Sequence, residues 1–148
     1  MNSDLLASVL ILIIFIYGIW RLRDRGRVSK THDQIFLDHK LIEGFTVREA
    51  ISVADMSTGL RNHHSLDDQV GFLFSGKSLQ TTGMNFPIDV VFIDKTGKII
   101  SIIHGCPVGK KIISGPFTTK KILELNEGRS TGYTLEVGKV IHFGEEKV

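Results

Sequence analysis

The chain has one cysteine in 148 residues, Cys106, so neither an internal disulfide nor a cysteine metal cluster can form, and a reducing compartment suits it. It also lacks a concentrated basic patch interleaved with stacking aromatics. The formal charge of +2 is carried by Arg21, Arg23, Arg25 and Arg27, and the rest of the sequence is near neutral or slightly acidic. That argues against a nucleic-acid-binding face, which needs dense positive charge against phosphate. No basic side chain stands among Met1-Asn2-Ser3-Asp4. Tyr17, Trp20 and Arg21 occupy the place of a small-x-small cleavage site, so the grammar of a removable secretory signal is missing.

What the chain does have is an unbroken apolar run, Leu5 to Trp20, halted by Arg21-Leu22-Arg23-Asp24-Arg25-Gly26-Arg27. An upright helix needs roughly 20 apolar residues to cross hydrocarbon about 30 Å thick, and Leu22 with a snorkelling Arg21 makes up the difference. In water, a helix apolar on every face needs burial in a large core, and a chain this short has little room for one. Residues 1–27 are therefore expected to form an uncleaved, single-pass transmembrane helix with the lipid bilayer as partner. Trp20, Arg21, Arg23, Arg25 and Arg27 flank it. Basic flanks prefer the cytoplasmic face, so the amino terminus should lie outside and the domain inside, unless the membrane is that of a virus particle.

The residues that follow suffice for one core. Residues 28–44 read as a linker or a peripheral strand through Gln34-Ile35-Phe36-Leu37, and 45–148 as the domain. Phe45 to Ala54 alternates imperfectly, as a half-buried strand does, and Met56 to His64 reads as a short helix capped by Asp55 or Ser57. The clearest unit is a hairpin from Pro87 to Ile103, turning at Asp94-Lys95-Thr96-Gly97, where Gly97 supplies the left-handed residue. Both faces of its strands are largely apolar, which predicts a central position covered on each side. Lys121 to Leu125 and Val137 to Phe143 read as further strands, separated by a turn region from Gly128 to Gly138. Many short strands with glycine punctuation predict a mainly β (β-rich α+β) fold, a compact barrel-like or sandwich domain.

Gly71-Phe72-Leu73-Phe74-Ser75-Gly76-Lys77-Ser78 matches the phosphate-loop pattern, and Val90-Val91-Phe92-Ile93-Asp94 resembles the strand that ends in a magnesium-associated aspartate. Together they raise a nucleotide-binding alternative, and the sequence itself argues against it. Such a loop must open a helix whose N–H groups hold phosphate. Leu79 to Pro87 contains Gly83 and Pro87 and is a poor helix, and barely enough residues separate Ser78 from Val90 for a parallel crossover.

His63-His64, with His104 or His142 as distant partners, lack ligand spacing, so an exposed helix end is favoured and no metal is expected. His104-Gly105-Cys106 brings an imidazole near a thiol without an identifiable orienting acid, and a buried or edge cysteine is preferred. Asp89 is the polar position of greatest interest, because a carboxylate inside an apolar strand needs donors or a raised pKa. The favoured reading is a structural carboxylate accepting backbone N–H bonds; the other is the acid of a ligand pocket shared with Gln80 and Thr81. Asp94 begins the hairpin turn, where aspartate bonds its own backbone.

Gly59-Leu60-Arg61, Ser65-Leu66, Gly71-Phe72-Leu73-Phe74, the stretch Thr81 to Asp94, and Ile122-Leu123-Glu124-Leu125-Asn126-Glu127-Gly128 occur in characteristic order and spacing. In these the chain resembles the domain of unknown function 192 family from roughly Phe45 to Phe143, with Leu135 to Val140 similar to the family's closing strand. The resemblance implies a small strand-rich domain, often behind an export or membrane segment, with no agreed activity. No catalytic residue and no cofactor transfers with it. Gln80 and Gly76 stand where one branch of the family carries a histidine and a cysteine. The expected function is a membrane-anchored, non-enzymatic structural or protein-interaction module of an envelope or shell-type assembly, docked on an unidentified protein partner. The alternative is a small-ligand-binding or enzymatic domain with a pocket near Asp89.

Overall fold

The computed structural model describes residues 13, 14, 29–61 and 63–145. The expected anchor and its flank, Trp20 to Arg27, lie outside the described residues apart from Ile13 and Ile14. No helix among the described residues is long and apolar enough to cross a membrane.

A six-stranded sheet organises the domain, in the order β1 (Lys30–His32), β4 (Thr46–Glu49), β5 (Val70–Ser75), β10 (Lys121–Asn126), β7 (Ile88–Ile93) and β8 (Ile99–Cys106). Its pairs are antiparallel except β4 with β5. Two smaller sheets accompany it: β11 (Ile141–Phe143), β2 (Ile35–Leu37) and β3 (Lys40–Leu41), and β6 (Ser78–Leu79) with β9 (Ile113–Ser114). Two short helices, α1 (Val53–Thr58) and α2 (Arg129–Gly132), complete the described elements. The fold is mainly β, as the sequence predicts. The sheets are open, with β1 and β8 as edges of the largest, so barrel-like closure is absent among the described residues.

Alternation along the central strands sends successive side chains to opposite faces and builds two cores. On one face Leu73, Val91, Ile93, Leu123 and Leu125 pack with Ile35, Leu37 and Ile141 from the three-stranded sheet. On the other, Ile88, Val90, Phe92 and Ile122 pack with Leu60, Leu66, Leu79 and Met84 from the loops around α1 and β6. Every residue of β7 is buried, as expected for a strand covered on both faces. Its hairpin partner differs: β8 is a sheet edge with half-buried Ile100, Ile102 and Ile103, and among the described residues no named strand pairs with its outer side. The turn is as expected. Gly97 has φ +88°, and Asp94 Oδ1 accepts from Thr96 N at 2.7 Å and Lys98 N at 3.0 Å.

Between residues 30 and 41 the chain forms paired strands: β1 aligns with β4, β2 aligns with β11, and Ile35 and Leu37 enter the core. Three expectations are corrected. The strand expected from Phe45 to Ala54 ends at Glu49, and the helix begins earlier than Met56, since the Ser52 side chain caps it by accepting from Asp55 N at 3.0 Å. Between Val137 and Phe143 only Ile141–Phe143 forms a strand, because Gly138 turns the chain with φ +98°. Within the region from Gly128 to Gly138, expected as turn, residues Arg129–Gly132 make a helical turn that positions Ser130.

Candidate functional site

Strand β10 carries the sequence Ile122-Leu123-Glu124-Leu125. Leu123 and Leu125 face the first core, which sends Ile122 and Glu124 to the second. Glu124 sits between Val90 and Phe72 on the flanking strands and is only 5% exposed. It forms the floor of a cleft of about 520 Å³, walled by Phe72, Phe74, Leu79 and Met84 and by the α1 segment from Met56 to Arg61. Arg61, Gln80 and Lys111 stand in the same lining. Among the described residues none of these three side chains, nor the Glu124 carboxyl, makes a hydrogen bond or ion pair. Burial without a partner pushes the Glu124 pKa up to about 8. At neutral pH Glu124 is thus a protonated acid in a cleft whose lining also holds Arg61 and Lys111.

Asp89 is a buried carboxylate of the opposite kind. It pairs with Leu125 in register and so lies on the other face of the sheet. One oxygen accepts from Gly105 N at 2.9 Å; the other accepts from Ser130 N at 2.9 Å and from the Ser130 hydroxyl at 2.5 Å. Desolvation works to raise its pKa, but the bonds from Ser130, Gly105 and Gly128 outweigh it and hold the carboxyl below the ordinary aspartate value. The Ser130 hydroxyl has one proton, and Asp89 takes it. The His104 ring, 2.9 Å from the same oxygen, must therefore donate through Nδ1. Serine, histidine and aspartate meet here in the wrong order for nucleophilic catalysis: the serine stands between the other two and is fully buried. The favoured structural reading of Asp89 agrees with this geometry.

The pocket expected around Asp89, Gln80 and Thr81 does not assemble. Thr81 is fully buried, and its hydroxyl donates to Pro107 O at 2.8 Å while accepting from Lys110 N at 3.0 Å, which pins one loop to another. Only Gln80 of the three lines the cleft, and its acid is Glu124. The sequence held a signal for Glu124, since it interrupts an apolar strand as Asp89 does.

The phosphate-loop geometry is also absent. Residues from Gly71 to Ser75 lie in β5, and β6 follows at Ser78 where a helix would be needed. Gly71 serves the core instead: a Cβ there would come within 2.9 Å of Leu123 and 3.0 Å of Phe45. His63 and His64 are exposed, and no metal-ligating cluster occurs among the described residues. Cys106 is buried, its thiol pKa raised by that burial, and His104 bonds Ser130 rather than the thiol.

Such a sheet, with a satisfied carboxylate beneath one face and an open cleft on the other, defines a small β-rich domain built on one central six-stranded sheet. Residues 35–143 match the domain of unknown function 192 family, described as Uncharacterized ACR, and the chain belongs to that family. Among solved structures, a Sinorhizobium meliloti 1021 protein described as a candidate transcription regulator superposes with TM-score 0.69 at 20% identity, over 80% of this chain and 98% of that one. A protein of unknown function from Novosphingobium aromaticivorans DSM 12444 superposes with TM-score 0.64 at 15% identity, over 80% and 95%. At these identities the likeness concerns the fold alone. No curated protein matches the sequence.

Proposed function

We propose that this is a membrane-tethered domain that binds a small zwitterionic ligand, an apolar molecule bearing a basic nitrogen and an acidic group, in the cleft above Glu124. The observation that carries the reading is the unpartnered Glu124 carboxyl, 5% exposed, at the floor of that cleft. A buried carboxyl without donors keeps its proton, and a ligand cation that pairs with it draws it into the carboxylate form with release of that proton. Arg61 and Lys111 in the lining supply the complementary charge for the ligand's acidic group. Phe72, Phe74 and Met84 receive its apolar body, and the volume lies within the usual range for small-molecule sites. The tether rests on the Leu5 to Trp20 run and its arginine flank. No chemical step is assigned.

The test is thermal unfolding of the full chain in detergent with millimolar L-leucine, L-methionine or L-phenylalanine, and with their N-acetyl and methyl ester forms. A zwitterion that occupies the cleft at 100 times its Kd adds about 2.7 kcal/mol of stability, a readable rise in Tm. The expected result is a rise with at least one free amino acid, reduced by either blocking group and absent in Glu124→Leu. No rise with any of them, or an equal rise in Glu124→Leu, sinks the reading. The tether is tested separately, by whether alkaline carbonate releases the chain from membranes.

A further inference from the structure

A second cleft, of about 680 Å³, opens at one end of the six-stranded sheet and is lined by Lys30, Lys95, Lys120 and Lys121. Its two acids are already engaged. Glu49 accepts from Lys121 Nζ at 2.8 Å and lies 2.7 Å from His32 Nε2, which together hold its pKa down against the opposing effect of desolvation. Asp94 is occupied by its own turn. Lys30, Lys95 and Lys120 have no side-chain partner among the described residues, so the cleft carries a net positive charge that nothing on the domain neutralises.

Beside it, Phe117 is 87% exposed, at the tip of a loop that a Thr119 to Pro116 bond of 2.7 Å holds closed. That loop runs into Lys120, whose carbonyl accepts from Gly76 N at 3.0 Å, and Lys77 places its ammonium 4.6 Å from the Phe117 ring centroid. An exposed aromatic tip with one lysine ammonium on its ring and another lysine at the base of its loop suits a bilayer interface. Chain length adds an independent constraint. Only three residue steps separate Arg27 from Lys30, so this end of the sheet lies within about 10 Å of the end of the arginine flank.

We infer that this end of the domain docks on an anionic phospholipid surface, with headgroup phosphates entering the lysine cleft and Phe117 dipping into the interface. The inference rests on the tether proposed above and goes beyond it. The tether requires only that the chain stay in the bilayer; docking requires that the domain lie down on it.

The experiment uses the full chain carrying Trp20→Phe and Phe117→Trp, placed in nanodiscs of phosphatidylcholine alone or mixed with phosphatidylglycerol, with lipids brominated near the headgroup. Expected are a blue shift and quenching of the introduced indole in anionic discs, both lost when Lys30→Glu, Lys95→Glu and Lys120→Glu are combined. All three lysines are exposed, and circular dichroism checks the fold of the variant. Each lysine neutralised should lower the docked-to-undocked ratio about fivefold. Quenching that is equal in neutral discs, or indifferent to the charge reversals, overturns the inference. So does an indole left in water. Stabilisation by inorganic phosphate with the indole still in water would assign the cleft to free phosphate and likewise overturn the lipid site. Loss of the chain from the discs altogether would instead count against the tether.

Discussion

Asp89 and Glu124 lie on adjacent, hydrogen-bonded strands and are almost equally buried, yet their surroundings treat them in opposite ways. Beneath Asp89, the α2 turn and the end of β8 present N–H and O–H groups that match both oxygens, and the charge stays. Above Glu124 the chain withdraws, leaving a cavity instead of donors, and the proton stays. Burial alone therefore says little about a carboxylate's role; whether the fold supplies its donors separates a structural acid from one held in reserve for a ligand.

The largest break in this comparison should come from Asp89→Ala. It strands the N–H groups of Gly105 and Ser130 inside the domain, for a loss of about 3 kcal/mol, read from the urea midpoint. Gly115→Ala probes the packing under the cleft face. A Cβ there would fall 2.3 Å from the ring of buried Phe92, which should cost about 2 kcal/mol by the same measurement. Glu124→Leu should instead stabilise the free domain by about 1 kcal/mol at pH 8 while removing ligand binding, the reverse of the Asp89 result.

The pH dependences sharpen the contrast. Because the folded state holds the Glu124 proton more tightly than the unfolded chain does, stability should decline as pH rises from about 4.5 to about 8 and then level off. Glu124→Gln should flatten that decline. Asp89, held below its ordinary value, adds stability that is present above 3.8 and lost as pH falls through its lower folded value. The smallest effect belongs to Glu136→Ala, which removes a solvent-exposed pair with Lys139 and should shift stability by no more than about 0.5 kcal/mol, setting the baseline for both faces.

Much of the fold is legible in residue patterns. The Pro87 to Ile103 hairpin, its Gly97 turn, the strand at Lys121 and the buried role of Cys106 follow from local chemistry. What is not legible depends on partners distant in the chain. The peripheral look of Ile35-Phe36-Leu37 conceals pairing with β11, and the edge position of β8 is a matter of strand order. Glu124 is marked by the same polar interruption as Asp89, but only the tertiary arrangement reveals which of the two lacks donors. The lysine cleft has no counterpart in the sequence, because Lys30, Lys95 and Lys120 come from well-separated segments and each alone reads as an ordinary surface residue. The anchor reading rests on hydropathy, and its residues, Ile13 and Ile14 apart, lie outside those described.

The strand β2 finds its partner β11 only after β3 to β10 have intervened, and Val140 N bonds Asp38 Oδ1 across a separation of 102 residues. During synthesis the three-stranded sheet therefore has no closing strand until β11 has been made. Ile35 and Leu37 wait for that strand while β3 to β10 are synthesised, so closing this sheet is a long-range event, and chaperone occupancy would be felt first at this seam.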